Sequence, residues 1–448
     1  MIHKFSLFGT NIVVDVNSGS VHIFDDVAYE VLEYYENTPA QKIVELLSTK
    51  YKSEEIGEAI KDIDSLKAEG MLYSEDIYED TVSLWDQKPV VKALCLHISH
   101  DCNLRCKYCF ASTGDFGGQR SMMSVEVGKK AIDFIIKESG SRKNLEVDLF
   151  GGEPLMNFEV VKEIVDYARA KEKEHGKNFR FTITTNAILL NEGIKKYIND
   201  NMQNVVLSID GRKEVNDKMR YRVDGTGCYS DILPKIKDMA DSRGQDKYYV
   251  RGTFTRENLD FSKDVLHLAD EGFKQISVEP VVAGKDSGYD LRLEDLPVLF
   301  DEYEKLAQEF VKRKQAGNGF NFFHFMIDLS QGPCIAKRLR GCGSGHEYVA
   351  ITPEGDIYPC HQFVGNSEFK MGNVAEGILN TDIQKHFKGS NVYTKEECRN
   401  CWAKFYCSGG CAANAHQFNN DINVPYKVGC ELEKKRVECA LWIKSQGL

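Results

Sequence analysis

Residues 99–110 have the sequence Ser-His-Asp-Cys-Asn-Leu-Arg-Cys-Lys-Tyr-Cys-Phe. The stretch contains three cysteines, Cys102, Cys106 and Cys109, at the spacing C-x3-C-x2-C, and Tyr108 directly precedes the last of them. Three thiolates this close together can hold three corners of a cubane, and no fourth cysteine follows nearby in the sequence. Because iron–sulfur clusters are normally held by four cysteines, the spacing predicts a cluster with one iron open to a ligand or substrate.

The same cysteines also permit a structural zinc site. Three thiolates would need a further ligand, for example His97 or His100, since zinc is commonly held by cysteine and histidine together. Zinc motifs more often come as paired C-x2-C units, so the spacing favours the iron–sulfur interpretation.

The cysteine motif resembles that of the radical S-adenosylmethionine (SAM) superfamily. This resemblance implies that the open iron chelates the amino and carboxyl groups of the methionine part of SAM. It assigns Cys102, Cys106 and Cys109 to the catalytic cluster and Tyr108 to the cofactor site.

The composition of the 448-residue chain is that of a core-forming protein, with 42% hydrophobic and 28% charged residues. A net charge of −11 argues against nucleic acid as the main partner, because phosphate binding requires a basic surface. No apolar run is long enough to span a membrane, and the N-terminus lacks the apolar segment of a signal peptide. We therefore expect a cytoplasmic protein.

The chain contains 14 cysteines. In the cytoplasm thiols stay reduced, so this number indicates metal ligation rather than disulfides. Cys95, Cys228 and Cys439 match no motif and are expected to be buried free thiols.

The first 80 residues predict three short strands within 3–23, followed by helices at 25–36, 39–51 and 53–69. This order resembles the winged-helix peptide-binding module, or RiPP recognition element, of enzymes that modify ribosomally made peptides. Such modules add a leader peptide to a sheet edge as an extra strand. A DNA-binding winged helix or a plain accessory domain is the alternative, and the acidic helices count against DNA. Residues 74–90 are expected to be a linker.

Strand and helix patterns alternate from residue 91 onward. Six β/α repeats predict an α/β fold with a parallel sheet, in which function lies at the carboxyl ends of the strands. The resemblance implies a partial (β/α)6 barrel over residues 81–320, open on one side to admit a large substrate. The predicted strands are 91–98, 145–150, 179–184, 204–209, 248–255 and 275–281.

Three strand ends within this region carry further motifs. Glycines at 151 and 152 permit close backbone approach to a ligand, and Arg220 offers a planar fork that suits a carboxylate. The family usually has glycine where this chain has Ala187. By resemblance, the segment at 151–154 holds the SAM ammonium group and Ser208 lies near the ribose or carboxylate. The cofactor contacts implied in this way are Gly151, Gly152, Glu153, Pro154, Asn186, Ser208 and Arg220.

The C-terminal cysteines follow the pattern of the SPASM domain, which we expect over residues 321–448. Two zinc sites could also be built from these residues, but beside a radical SAM barrel the pattern implies two auxiliary [4Fe–4S] clusters. Cys334 is expected to close the first cluster or, if it does not bind, to leave an iron open for a substrate thiolate. By position, the first cluster takes Cys342, Cys360 and Cys411, and the second takes Cys398, Cys401, Cys407 and Cys430.

Together these parts resemble radical SAM maturases of SCIFF peptides, which are short cysteine-rich precursors that receive thioether crosslinks. The resemblance implies SAM and three [4Fe–4S] clusters as cofactors, a ribosomal precursor peptide as substrate, and an external reductant of the flavodoxin or ferredoxin type. SAM would be cleaved to a 5′-deoxyadenosyl radical that takes hydrogen from a peptide carbon. A peptide cysteine sulfur would then bond to that carbon while the clusters accept the surplus electron.

Two alternatives remain open. Sulfatase-maturing enzymes, which oxidise cysteine or serine to formylglycine, carry an acidic residue directly after the cysteine that matches Cys360, whereas this chain has His361. A non-enzymatic zinc or electron-transfer protein that binds peptides would leave the motifs at 151–154 and 208–220 unexplained.

Overall fold

The chain opens with an antiparallel sheet that has three strands within the described residues, followed by short helices. The computed structural model describes residues 1–82, 89–329 and 338–448. The predicted order of strands and helices is confirmed, although α1 and α2 are shorter than their patterns indicate. These elements are β1 (Ile2–Leu7), β2 (Thr10–Asp15), β3 (Val21–Phe24), α1 (Asp26–Val31), α2 (Ala40–Leu47), α3 (Ser53–Ala68) and α4 (Glu79–Val82).

The hairpin turn between β1 and β2 contacts the far end of the chain. Its two residues, Phe8 and Gly9, have φ angles of 49° and 77°, which is the pattern of the type I′ turn that matches the twist of paired strands. Phenylalanine is unusual in this conformation. Its ring packs edge-on against Trp442, with ring centroids 4.7 Å apart, so the turn ties the first sheet to the last helix.

The side chains of β2 alternate between two apolar cores, because successive residues of a strand point to opposite faces. Val13 packs with Ile43 and Ile56 from the helices of the first 80 residues. Ile12 and Val14 instead belong to the large core that continues through the rest of the protein. The first sheet is therefore built into the main body rather than joined to it only by the chain.

The second sheet contains parallel strands that confirm all six strand predictions from residue 91 onward. Strands β4 to β9 lie side by side in chain order, and β10 adds to β9 in parallel. These elements are β4 (Ala93–Ser99), α5 (Val125–Glu138), β5 (Asn144–Gly151), α6 (Phe158–His175), β6 (Asn178–Thr185), α7 (Glu192–Asn201), β7 (Asn204–Ser208), α8 (Lys213–Met219), α9 (Tyr229–Ser242), β8 (Tyr248–Phe254), α10 (Phe261–Asp270), β9 (Gln275–Pro280), α11 (Leu296–Gln315) and β10 (Asn321–Phe322).

The C-terminal part of the chain extends the same sheet. Strand β11 pairs with β4 in parallel, and β12, β13 and β14 follow as antiparallel neighbours. Within the described residues the sheet thus has eleven strands, so the six-repeat barrel stays a prediction. The remaining elements are β11 (Tyr348–Ile351), β12 (Asp356–Tyr358), β13 (Gly372–Asn373), β14 (Gly377–Ile378), α12 (Thr381–Gly389), α13 (Glu396–Arg399), α14 (Lys404–Cys407), α15 (Ala412–Asn419) and α16 (Lys427–Ser445).

The predicted linker over residues 74–90 is anchored to the protein in its first half. The carboxylate of Asp76 lies 2.7 Å from Lys404 Nζ and accepts a hydrogen bond of 2.8 Å from the Tyr393 hydroxyl. Glu79, at the start of α4, pairs with Arg399. Residues 83–88 lie outside the described residues. The segment 74–82 therefore anchors the N-terminal part to the cysteine-bearing C-terminal part.

Within the ranges that the structure describes, no helix is both long enough and apolar enough to cross a lipid bilayer.

Replacing Asp76 by asparagine should destabilise the protein. Lys404 is only 4% exposed, so losing its counterion leaves a buried charge unpaired, which costs about 3 kcal/mol or more. Burial raises the pKa of Asp76, but its hydrogen bonds and the positive charge of Lys404 outweigh burial. Together they hold the pKa below its usual 3.8. Its stabilising contribution is therefore present above about pH 4 and lost as the pH falls further.

Urea unfolding of wild type and Asp76→Asn at several pH values tests this. The difference in unfolding free energy between wild type and variant should be largest near pH 7 and should shrink below about pH 4. The exposed neighbour Glu75 provides the control, since Glu75→Gln should change the unfolding free energy by less than about 0.5 kcal/mol. A difference for Asp76→Asn no larger than that of the control would contradict the anchoring role.

Candidate functional site

A cavity of about 740 Å³ lies at the carboxyl ends of the parallel strands. The cysteines of the first motif border it, together with residues from the ends of β5, β6 and β7. So do Cys407, Cys411 and Cys430, which come from the C-terminal part of the chain. Pro154, although buried beside this wall, does not form part of the lining. The predicted residues that do line the cavity are Cys102, Cys106, Tyr108, Cys109, Gly151, Gly152, Glu153, Asn186, Ser208 and Arg220.

Backbone hydrogen bonds fix the loop that carries the first three cysteines. The amide of Arg105 donates to Tyr221 O at 2.8 Å, and the amide of Lys107 donates to Met219 O at 2.9 Å. The loop directly follows β4, so one end is set by the sheet and the middle by the segment after α8. The backbone of the protein itself thus positions the loop that carries the cysteines.

Gly151 and Gly152 allow the end of β5 to touch this loop. Gly151 has a φ of +123°, and a Cβ built on it would lie 2.2 Å from the carbonyl oxygen of Ser99. A Cβ on Gly152 would lie 2.2 Å from the carbonyl oxygen of Asp101. No other residue fits at such distances, so the glycine pair permits close contact with the cysteine loop as well as with a ligand.

Glu153 and Asn186 join the ends of β5 and β6. Glu153 accepts hydrogen bonds from the amides of Leu155 and Asn186, at 3.0 and 2.8 Å, and from the Thr185 hydroxyl at 2.7 Å. Burial raises the pKa of Glu153 to about 7, although these hydrogen bonds act to lower it. The side-chain amide of Asn186 donates a hydrogen bond to Asn103 Oδ1 at 2.8 Å, and its nitrogen lies 3.6 Å from Cys102 Sγ.

Ala187, which follows Asn186, has a φ of 64°. That is the left-handed region in which glycine is the residue of lowest strain. Glycine would therefore be the least strained residue at this position, and this chain adopts the left-handed backbone with alanine.

Arg220 does not stand alone in the cavity wall, because it belongs to a buried hydrogen-bonded group with Tyr108 and Asp210. The Tyr108 hydroxyl lies 2.8 Å from both Asp210 carboxylate oxygens, and Arg220 donates to the same hydroxyl at 2.9 Å. Within the described residues the Arg220 Nε atom has no hydrogen-bond partner. The group holds the aromatic residue of the cysteine motif in a fixed orientation beside the cluster site.

Asp210 is a site residue that the sequence analysis missed. It accepts a further hydrogen bond from the Thr253 amide at 3.0 Å, and burial raises its pKa to about 6. Its position two residues after Ser208 at a strand end was the available signal. Two charged residues, Arg251 on β8 and Glu279 on β9, also border the cavity. The sequence analysis did not identify them either.

The thiols of the first motif are poor acids in the protein alone. Burial raises the pKa of Cys102 to about 11 and that of Cys106 to about 12. Metal coordination deprotonates a thiol outright, so a bound cluster removes this penalty and releases protons.

The first C-terminal set, Cys342, Cys360 and Cys411, comes together in space. Burial raises the pKa of Cys360, and the nearby sulfurs of Cys411 and Cys342 raise it further. Cys342 and Cys411 are exposed, whereas Cys360 is buried. Cys334, the predicted fourth ligand, lies outside the described residues.

The second C-terminal set borders a separate cavity of about 420 Å³. Cys407 and Cys430 line both cavities, so the two sites are adjacent. Burial raises the pKa of Cys407 to about 12 and that of Cys430 to about 11. The four predicted ligands, Cys398, Cys401, Cys407 and Cys430, all belong to the lining of this second cavity.

These donor sets fit iron–sulfur clusters. Each predicted set consists of thiols alone, and thiolate is the ligand by which clusters are usually held. Among the described residues no three His, Cys, Asp or Glu side chains converge tightly enough to hold a single metal ion. His97 Nδ1 and His100 Nε2 lie 2.9 Å apart and pair with each other. Neither histidine borders the cavity that the first three cysteines line.

Two family models match parts of the chain. Residues 92–230 match a family described as a 4Fe-4S single cluster domain, and residues 342–402 match SPASM, an iron–sulfur cluster-binding domain. Uncharacterized protein MJ0907 of Methanocaldococcus jannaschii is 31% identical over 286 residues, which cover 63% of this chain and 89% of that protein.

Two further relatives have assigned roles. The cysteine-type anaerobic sulfatase-maturating enzyme of Clostridium novyi is 27% identical over 350 residues, covering 72% of this chain and 89% of that enzyme. The antilisterial bacteriocin subtilosin biosynthesis protein AlbA of Bacillus subtilis is 24% identical over 344 residues, covering 74% of this chain and 69% of AlbA.

Solved structures share the fold. Native anSMEcpe with bound AdoMet aligns with a TM-score of 0.62 at 20% identity, covering 78% of this chain and 96% of that one. Streptococcus suis SuiB bound to S-adenosylmethionine aligns with a TM-score of 0.52 at 18% identity, covering 92% and 94%.

The chain belongs to the radical SAM proteins that carry a SPASM domain. Its relatives include a sulfatase-maturating enzyme and a bacteriocin biosynthesis protein, and its cofactors are SAM and [4Fe–4S] clusters.

Gly152→Ala should displace the cysteine loop and prevent binding of the first cluster. The added Cβ meets backbone atoms of Asp101, which cannot move without shifting Cys102. After anaerobic reconstitution we expect about four fewer irons per chain than in wild type.

Gly57→Ala in α3 is the matched control, because a Cβ there meets open space and alanine favours a helix by about 1 kcal/mol. This control should retain the full iron content. Equal iron in the two variants would contradict the close contact at Gly152.

Proposed function

We propose that this enzyme forms thioether crosslinks in a ribosomally made, cysteine-rich precursor peptide. The observation that carries the proposal is that the first cysteine motif and cysteines of the C-terminal part line one cavity. A substrate in that cavity would lie beside the SAM-binding cluster and beside a site where its own thiol can meet iron.

The relatives support a peptide substrate. AlbA is named for biosynthesis of the bacteriocin subtilosin, and it aligns with this chain over most of both lengths. We infer an intramolecular bond between a cysteine sulfur and a carbon of an acceptor residue, as in maturases of SCIFF peptides.

The reaction balances as an oxidation that removes two hydrogens from the peptide. When bound, SAM and its cluster supply a radical that takes one hydrogen atom from carbon. The peptide thiol loses its proton, sulfur bonds to that carbon, and one electron leaves to the auxiliary clusters. An external one-electron donor of the flavodoxin or ferredoxin type supplies the reducing electron in the cytoplasm.

The chain's own residues have distinct parts in this scheme. Cys102, Cys106 and Cys109 hold the SAM-binding cluster, and Tyr108 stays fixed by Asp210 and Arg220. Ser208 and Asn186 border the space for the cofactor. Holding the peptide thiol next to the reacting carbon accelerates bond formation, because the two groups are already close together.

The two C-terminal sets hold two auxiliary [4Fe–4S] clusters. The described ligands of the first set are Cys342, Cys360 and Cys411, which leaves one iron for Cys334 or for the thiolate of the peptide. The second set, with its four cysteines around one cavity, is closed.

We infer further that residues 1–80 bind the leader of the precursor at the outer edge of β3. In the sheet order β3 is a terminal strand, and such an edge can accept an added strand through its backbone. Ile23 on this strand is 61% exposed, so it offers an apolar contact next to the edge.

Ile23→Glu should weaken leader binding by about tenfold, because a charge replaces an apolar contact beside the added strand. Fluorescence anisotropy with a labelled leader peptide measures the affinity. Leu46→Glu on α2 is the control, since Leu46 is 46% exposed and belongs to a helix rather than to the sheet. Unchanged affinity in Ile23→Glu would place the leader elsewhere.

The catalytic proposal is tested by cluster content and product. Wild type should hold about twelve irons, and the Cys102/Cys106/Cys109→Ala variant about eight. Only wild type should release 5′-deoxyadenosine after reduction with SAM. Zinc in place of iron, or no 5′-deoxyadenosine from wild type, would overturn radical chemistry.

Formylglycine formation is the second candidate, because the sulfatase-maturating relative shows 27% identity. His361 stands where those enzymes have an acidic residue, and burial lowers its pKa to about 4, so it is neutral at pH 7. Mass spectrometry of the co-expressed precursor separates the two reactions. A crosslinked product loses two hydrogens per bond and keeps its sulfur, whereas formylglycine made from cysteine loses sulfur.

A further inference from the structure

Lys395 is a buried cation that precedes α13 and lies next to the C-terminal cysteines. Its side chain is 3% exposed, and its Nζ donates to the carbonyl oxygen of Gly409 at 2.8 Å. Gly409 lies between Cys407 of the second set and Cys411 of the first set, and it borders both cavities. The ammonium group thus bonds to the backbone segment that connects cysteines of the two predicted auxiliary sites.

Thiols of both sets act electrostatically on Lys395. Burial lowers its pKa, and the nearby thiols of Cys398, Cys407, Cys411 and Cys430 act in the opposite direction. In return, Lys395 partly offsets the effect of burial on the pKa values of Cys398 and Cys411. One cation therefore interacts with members of both ligand sets.

Lys395 has no carboxylate partner within the described residues, where its polar contact is a neutral carbonyl. Lys404 provides the contrast, because it is equally buried but pairs with Asp76 at 2.7 Å. An isolated buried charge is costly unless an opposite charge compensates it. Cubane clusters held by four thiolates are anionic, so clusters at these two sites would supply the missing counter-charge.

We propose that Lys395 is the shared counter-cation of the two auxiliary clusters and raises the reduction potential of both. This inference rests on the proposed function, since it requires clusters at both sites. A positive charge favours the more anionic reduced state, and local charge is one of the factors that set cluster potentials. Lys395 thereby makes both clusters better acceptors of the electron that crosslinking releases.

The test is a redox titration followed by electron paramagnetic resonance. It uses anaerobically loaded protein in the Cys102/Cys106/Cys109→Ala background, so that the signals come from the auxiliary sites. In Lys395→Met both potentials should fall. The ratio of reduced to oxidised cluster at a fixed potential should change by at least about tenfold, or about 59 mV for one electron.

Two variants separate charge from other effects. Lys395→Arg keeps the cation and should keep potentials near those of wild type. Lys385→Met removes an exposed lysine, 74% exposed on α12, and should leave both potentials unchanged. Unchanged potentials in a fully loaded Lys395→Met protein would overturn the proposal, and a shift of one cluster alone would overturn the shared role.

Iron and sulfide content is measured for every variant. If Lys395→Met fails to load its auxiliary sites, a loaded Lys395→Arg protein with near wild-type potentials supports the charge requirement. If Lys395→Arg also fails to load its auxiliary sites, cluster loading depends on the shape of the lysine side chain rather than on its charge. That result would overturn the proposal. Failure of wild type to load these sites would instead refute the proposed function, so the two results are distinguishable.

Discussion

The close contact between the end of β5 and the cysteine loop is the constraint on which the site depends. Gly151 and Gly152 bring the strand end within touching distance of Ser99 and Asp101. The amide of Gly152 donates to Ser99 O at 2.8 Å, so the contact is bonded as well as tight. On its other side the loop pairs with residues 219–221. The end of β5 and the chain at the end of α8 therefore hold one loop from two sides, which gives three thiols a fixed arrangement that a short flexible loop could not maintain.

Charge compensation is the second organising constraint, and it accounts for two groups of buried charged residues. Arg220 and Asp210 share the Tyr108 hydroxyl, and Lys404 pairs with Asp76. Each group balances opposite charges within the protein, as burial requires. Lys395 departs from this rule among the described residues, and it does so at the place where anionic clusters are expected. The missing counterion of Lys395 thus coincides with the site where an anionic cluster would supply one.

Local sequence patterns predicted most of the fold and the cysteine sets. The strand predictions from residue 91 onward and the helices of the first 80 residues depend on periodicity, which short windows reveal. The cysteine sets depend on spacing combined with a family resemblance. Both kinds of signal are contained in contiguous stretches of the chain.

Residues that act through distant partners were not predictable in this way. Asp210 meets Tyr108 from 102 positions away, and Asp76 meets Lys404 from 328 positions away. No local pattern records such pairs, because they arise only when strands and helices are packed. The same holds for the segment 74–82, whose acidic composition is typical of a linker although its carboxylates are anchored.

The anchoring of the N-terminal part also bears on how a long peptide would reach the cavity. The His3 ring stacks on Trp402 with centroids 3.7 Å apart, and Trp402 directly follows Cys401. Together with the Asp76–Lys404 pair, this contact ties the first sheet to the segment that carries the second cysteine set. A leader held on that sheet would start at a fixed distance from the cavity. The modified segment would then be supplied at a high effective concentration set by the connecting peptide length, so weak contacts inside the cavity would suffice to select the reacting residues.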